Sequence, residues 1–118
     1  MIGERRLFVR FAMSGAVIIQ VDPAKAVSIE GELIDLSLDG VGMYLTNQLA
    51  VESKAKFLII NRQLNVNLGG IGRVVYCQKV DTDKDYYRVG LEFIEVDRAQ
   101  VKSILLQVRQ ISLIKGVK

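Results

Sequence analysis

Apolar side chains recur at every second position through most of this chain, and near residue 97 that period gives way to another. Val27, Ile29, Gly31 and Leu33 alternate with polar neighbours, and Leu64-Asn65-Val66-Asn67-Leu68 alternates strictly. Successive side chains of an extended strand point to opposite faces, so this is the pattern of half-buried β-strands. Further extended runs occupy residues 16–21, 41–45, 55–60, 73–78 and 86–94. Polar turns separate them: Asp22-Pro23-Ala24-Lys25 with the only proline, Thr46-Asn47-Gln48, Asn61-Arg62 and the acidic stretch 81–85. From Asp97 the apolar residues are Val101, Ile104, Leu105, Val108 and Ile111, the three- and four-residue steps of an amphipathic helix. Asp97 caps its start, Gln100 stands where a capping box requires it, and Gly116 with Lys115 and Lys118 closes it. Six or so antiparallel strands in 118 residues predict a small β-barrel, because closure removes the strand edges that an open sheet exposes. The terminal helix then covers one open end or side.

One polar cluster interrupts these apolar runs, in Ile34-Asp35-Leu36-Ser37-Leu38-Asp39-Gly40-Val41-Gly42-Met43. Asp35 and Ser37, two positions apart, lie on one side of an extended chain and can address one ligand-sized space. Gly40 permits either a left-handed turn or a close approach of another backbone, and Gly42 repeats that freedom. A second polar cluster lies near the N-terminus, where Arg5, Arg6 and Arg10 precede the first strand. In a helical turn Arg6 and Arg10 share a face, and the plain reading is a solvated basic arm. The functional reading is a phosphate clamp, since guanidinium makes bidentate bonds to phosphate and stacks on bases.

Several chemistries fall away. The chain has one cysteine and no histidine, which removes an internal disulfide, the usual zinc and haem sites and the commonest general base. Gly69-Gly70-Ile71-Gly72 lacks the Lys-Ser/Thr of a phosphate loop and precedes no helix, so it reads as a β-bulge or strand bend. Residues 81–85 lack the glycine and terminal glutamate of a calcium loop and read as a hairpin tip. The formal charge of +3 is mild, compatible with an anionic ligand without requiring DNA or RNA. No apolar run approaches the ~20 residues that span a bilayer, and the N-terminus has no signal-peptide core, so a cytoplasmic protein without membrane insertion is expected.

Arg6-x-x-x-Arg10 followed by Asp35-x-Ser37-x-x-Gly40, with Val89-Gly90-Leu91-Glu92-Phe93 and a terminal helix beyond, closely resembles the PilZ domain family of bacterial cyclic di-GMP receptors. The resemblance covers essentially the whole chain. It implies a mainly β, six-stranded antiparallel PilZ-like barrel with a C-terminal α-helix, forming a single domain over 1–118. The arginine arm takes 1–12, the barrel 14–94 and the helix 97–114. It further implies a non-enzymatic receptor, with no cofactor and no metal, in which the arm folds over cyclic di-GMP on the barrel surface. By that resemblance Arg6 and Arg10 contact phosphate oxygens and the guanine Hoogsteen edge, Asp35 accepts the guanine N–H donors, Ser37 adds a hydroxyl, and Gly40 keeps the turn tight. Arg5, just before the motif arginine, is the feature that in PilZ proteins accompanies an intercalated nucleotide dimer. The expected output is a signal passed to an unidentified downstream protein; the alternative is a PilZ-like interaction module that binds no nucleotide.

Overall fold

The computed structural model describes residues 9–21, 27–80 and 83–116, and side chains of its terminal helix as far as Arg109. The elements are β1 (Phe11–Ala12), β2 (Ala16–Gln20), β3 (Ile29–Leu36), β4 (Gly40–Leu45), β5 (Lys54–Asn61), β6 (Val66–Lys79), β7 (Tyr87–Val96) and α1 (Arg98–Gly116). Strands β3, β2, β5, β6, β7 and β4 are hydrogen-bonded in that order, and β4 pairs back onto β3. Six antiparallel strands thus close into a barrel, and no edge is left along its wall. The short β1 adds to β3 at Phe11↔Leu36 and Ala12↔Asp35. Since β4 holds the other edge of β3 at those residues, β1 prolongs the side that β2 occupies farther along.

The alternation anticipated in the sequence is the alternation between barrel interior and surface. Val17 and Ile19 of β2, Phe57 and Ile59 of β5, Val66 and Leu68 of β6, and Val89, Leu91 and Phe93 of β7 are buried in one continuous core. Burying each such side chain contributes roughly 1.5–3 kcal/mol against leaving it in water, as an upper estimate. Strand β6 begins two residues later than Leu64, after a turn in which Asn65 adopts φ 56°. It then runs straight through the glycines 69–72, with a register shift against β7 between Ile71 and Gly72, which is the bulge expected there.

Two irregularities matter more for the surface. The β3–β4 register shifts between Leu33 and Asp35, so that Leu33 faces the interior with Met43 while Asp35 comes to lie opposite Gly42. The β6–β7 register shifts again between Val74 and Tyr76, so that Val74 is buried and Tyr76 lies opposite Gly90. A bulge adds one residue to one strand and reverses which face the following side chains take. Without these two shifts, Asp35 and Tyr76 would share the inward parity of Leu33 and Val74.

Helix α1 starts as the sequence implies: Asp97 Oδ1 accepts the Gln100 amide at 3.1 Å, and the Asp97 carbonyl accepts the Val101 amide. The Gln100 side chain does not return to the cap. It donates instead to the Asn67 carbonyl at 3.0 Å, tying the helix to β6. Val101, Ile104, Leu105 and Val108 are the buried stripe, packed onto the barrel core beside β1 and β6. Among the described residues no helix is long and apolar enough to cross a membrane. The expected turn at Asp22–Lys25 lies outside the described residues.

Candidate functional site

Gly42 and Gly90 face each other across β4 and β7, and around this side-chain-free pair the outer wall of the barrel carries its polar cluster. A Cβ on Gly42 would lie 2.5 Å from Asp35 Oδ1, and a Cβ on Gly90 would collide with the Tyr76 ring. The missing side chains are what let a carboxylate and a phenol lie flat against the sheet. What Gly90 admits is an aromatic ring and not another backbone.

Asp35 is the centre of the cluster. Arg10, 25 residues earlier, reaches across from the segment before β1 and places Nη1 2.9 Å from Asp35 Oδ1. The side chains are only 15% and 12% exposed, so the pair is largely withdrawn from water. The second carboxylate oxygen lies 3.5 Å from Nη2 of Arg88, on β7. A hydrogen bond with the Tyr76 side chain raises the Arg88 pKa above its ordinary value, and the Asp35 charge acts in the same direction. Arg10 and Arg88 against Asp35 leave this trio with one net positive charge, suited to an anionic ligand. Arg10 Nε is buried with no hydrogen-bond partner among the described residues.

The turn after Asp35 is built from within. The Ser37 amide donates to the Gly40 carbonyl at 2.9 Å, closing a tight link between β3 and β4. Ser37 Oγ donates to the Asp39 carboxylate and accepts the amides of Asp39 at 3.3 Å and Gly40 at 3.2 Å. Ser37 is fully buried. Its hydroxyl therefore fastens the turn, and a direct contact with a ligand would require it to exchange one of these partners. Gly40 is not in the left-handed region. It is needed for the close approach, because a Cβ there would collide with the Leu91 carbonyl. The Asp39 carbonyl in turn accepts the Phe93 amide at 2.8 Å, which pins the turn to β7.

A small cavity of about 80 Å³ opens beside this turn, lined by Arg10, Asp39, Gly40, Val75, Leu91 and Glu92. Glu92 is held at 2.5 Å by Arg73 Nη2, a guanidinium that it shares with Glu52. The structure thus brings Arg10, Asp35, Ser37 and Gly40 together within one surface region, while Arg5 and Arg6 lie outside the described residues. Arg88 and Tyr76 belong to the same cluster and were not singled out by sequence. The only available signal was Tyr86-Tyr87-Arg88-Val89-Gly90, in which alternation puts Arg88 on the face of Gly90.

A family model described as the PilZ domain matches residues 4–110. The fold is that of several solved structures. The PilZ domain of YcgR from Escherichia coli, solved with c-di-GMP, superposes with a TM-score of 0.76 at 17% identity, over 97% of this chain and 98% of that one. The inhibitor of motility MotI/DgrA of Bacillus subtilis gives 0.75 at 18% identity, over 95% of this chain and 53% of that one. MrkH of K. pneumonia, in its c-di-GMP complex, gives 0.72 at 16% identity, over 97% and 55%. This chain thus spans about half the length of MotI/DgrA and of MrkH. No curated protein matches it in sequence.

Proposed function

Because the chain belongs to the PilZ domain family, we propose that it is a cytoplasmic receptor for cyclic di-GMP, binding the nucleotide on the outer barrel wall and passing the signal to a partner protein. It acts by binding, not by catalysis. The observation that carries this reading is the meeting of Arg10 with Asp35 over Gly42, which joins the two distant motifs in one place.

Cyclic di-GMP carries two phosphates and two guanines, and the site has matching chemistry for both. Arg6 and Arg10, with Arg5 beside them, take phosphate oxygens and the acceptor-rich Hoogsteen edge of guanine. Asp35 takes the guanine N–H donors. A carboxylate has about four lone-pair sites, so it can accept from guanine while keeping a guanidinium partner. Arg88 acts as its support, holding the oxygen that Arg10 does not. Ser37 and Gly40 act chiefly by fixing the turn, with a Ser37 hydroxyl contact following if its Asp39 bond exchanges. Gly42 and Gly90 act indirectly, by letting the Asp35 carboxylate and the Tyr76 ring lie flat on the sheet, so that a planar base meets a low surface. Arg5 favours an intercalated nucleotide dimer, two ligands to one chain.

Calorimetric titration with cyclic di-GMP tests the proposal and reports the stoichiometry at once. Saturable binding is expected, weakened about ten- to a hundredfold by Arg6→Ala or Asp35→Ala, since each loses charge-assisted bonds of ~1.5–3 kcal/mol. Absence of binding by the intact, folded chain would overturn it.

A further inference from the structure

A groove of about 430 Å³ runs between α1 and the barrel, lined by Val9, Phe11, Leu38, Lys102, Leu105, Leu106 and Arg109. Lys102, Leu105, Leu106 and Arg109 are spaced i, i+3, i+4 and i+7, so one stripe of the helix forms its wall. The groove is apolar inside and cationic at the rim, and among the described residues no acidic side chain lines it. Residues 98–116 carry Arg98, Lys102, Arg109 and Lys115 and no Asp or Glu at all. Leu106 is 58% exposed and Val9 71% exposed, an apolar surface that water meets directly. Its other wall comes from the nucleotide site's own segments. Val9 and Phe11 flank Arg10, Leu38 lies between Ser37 and Asp39, and Arg98 Nη1 donates to the Leu38 carbonyl at 3.3 Å.

We propose that this groove is the docking site for a partner-protein segment with apolar side chains flanked by carboxylates, and that nucleotide binding changes its affinity. Charge decides the occupant. A second copy of this chain, bound by the same face, would bring a second Lys102 and Arg109 into one interface with no carboxylate among that face's described residues to meet them, an arrangement that repels. An anionic bilayer is flat and would meet the rim cations while leaving the concavity unfilled. An acidic amphipathic helix fills the groove with its apolar ridge and meets the rim with its carboxylates. The link to the nucleotide rests on the reading of the site given above, because a ligand that moves Arg10 or the turn at Leu38 moves the groove wall with it.

The test is an amide NMR titration of the full chain with two designed helical peptides of about 18 residues, some five turns. They share one leucine stripe and differ in carrying Glu or Lys on the polar face. The Glu peptide is expected to shift the amides of Val9–Phe11, Leu38 and residues 102–109, and to bind about tenfold more weakly to the Lys102→Glu/Arg109→Glu chain. Both substituted residues are exposed, so the fold is retained. Equal binding of the Lys peptide, or shifts seated elsewhere, would overturn the proposal. So would self-association abolished by Leu106→Glu, which identifies a second copy as the occupant. Sedimentation with phosphatidylglycerol vesicles in the absence of Glu-peptide binding would overturn it in favour of a membrane. The titration is run first without nucleotide, so its failure is distinct from failure of cyclic di-GMP binding, which calorimetry reports alone. With the nucleotide bound, the Glu peptide's Kd changes by about fivefold or more; an unchanged Kd refutes the link.

Discussion

Arg10 Nη1 and Asp35 Oδ1, 25 residues apart in the chain, lie 2.9 Å apart on the outer barrel wall, and Arg88 stands 3.5 Å from the other oxygen of the same carboxylate. Removing the carboxylate therefore strands Arg10 and leaves Arg88 with Tyr76, whereas removing Arg10 leaves Asp35 with Arg88. Asp35→Ala is expected to destabilise the fold by about 3 kcal/mol, where the ranges for a lost charge-assisted bond and for a broken buried pair meet. Arg10→Ala is expected to be milder. Urea unfolding of both variants checks the order; an Asp35→Ala chain as stable as the parent would mean that water screens the cluster.

The Gly90–Tyr76 contact is tested by a double-mutant cycle. A Cβ on Gly90 would meet the Tyr76 ring, so Gly90→Ala is expected to cost about 1–3 kcal/mol, as overpacking does. In a Tyr76→Ala background the obstacle is gone, and the same change should cost under about 0.5 kcal/mol, the scale of additivity between independent sites. Equal costs in both backgrounds would show that something other than the ring constrains Gly90.

These residues also show where the sequence was legible. Barrel, strands and helix follow from periods of two and of three to four, which survive in the sequence because each strand buries one face. The polar break at Asp35–Gly40 was visible because charge is costly inside such runs. What could not be read was the pair of register shifts that turn Asp35 and Tyr76 outward. A bulge depends on the partner strand, and neither Ile34 nor Val75 differs in type from its apolar neighbours. Arg88 was hidden for the same reason: its place beside Asp35 depends on β4 lying between β3 and β7. The Ser37 hydroxyl was legible as a polar group but not as a turn fastener, since its partners are its own neighbours.

Asn61 closes the end of β5 onto the segment ahead of β2. Its Nδ2 donates to the Ser14 carbonyl at 2.7 Å, its Oδ1 accepts the Leu64 amide at 2.9 Å, and the residue is buried. Asn61→Ala leaves one donor and one acceptor unpaired, with an expected loss of about 1–3 kcal/mol in urea unfolding. Asn61→Asp keeps the acceptor but sets a carboxylate against the Ser14 carbonyl, and should be the less stable of the two. The reverse order would show that the Leu64 amide is the only bond of consequence.

Tyr86 supplies a pH-dependent test of the surface next to the candidate site. Its ring stacks on Tyr44 at 5.0 Å between centroids, and its hydroxyl donates to Glu32 Oε1 at 3.4 Å. Burial against these neighbours raises the phenol pKa above its ordinary value of 10.0, and the Glu32 charge raises it further. The proton is thus held more tightly in the folded chain than in the unfolded one. Its contribution to stability is complete below the ordinary tyrosine range, about pH 10, and is lost as pH rises through the folded value. Ring-carbon NMR, with the resonance assigned by Tyr86→Phe, should show Tyr86 ionising above the ordinary tyrosine value. Glu32→Gln should lower that midpoint only part of the way, because burial is the larger cause and the substitution leaves the stacked rings in place. A complete return to the ordinary value in Glu32→Gln would make the carboxylate the dominant cause and the stacking against Tyr44 immaterial to it.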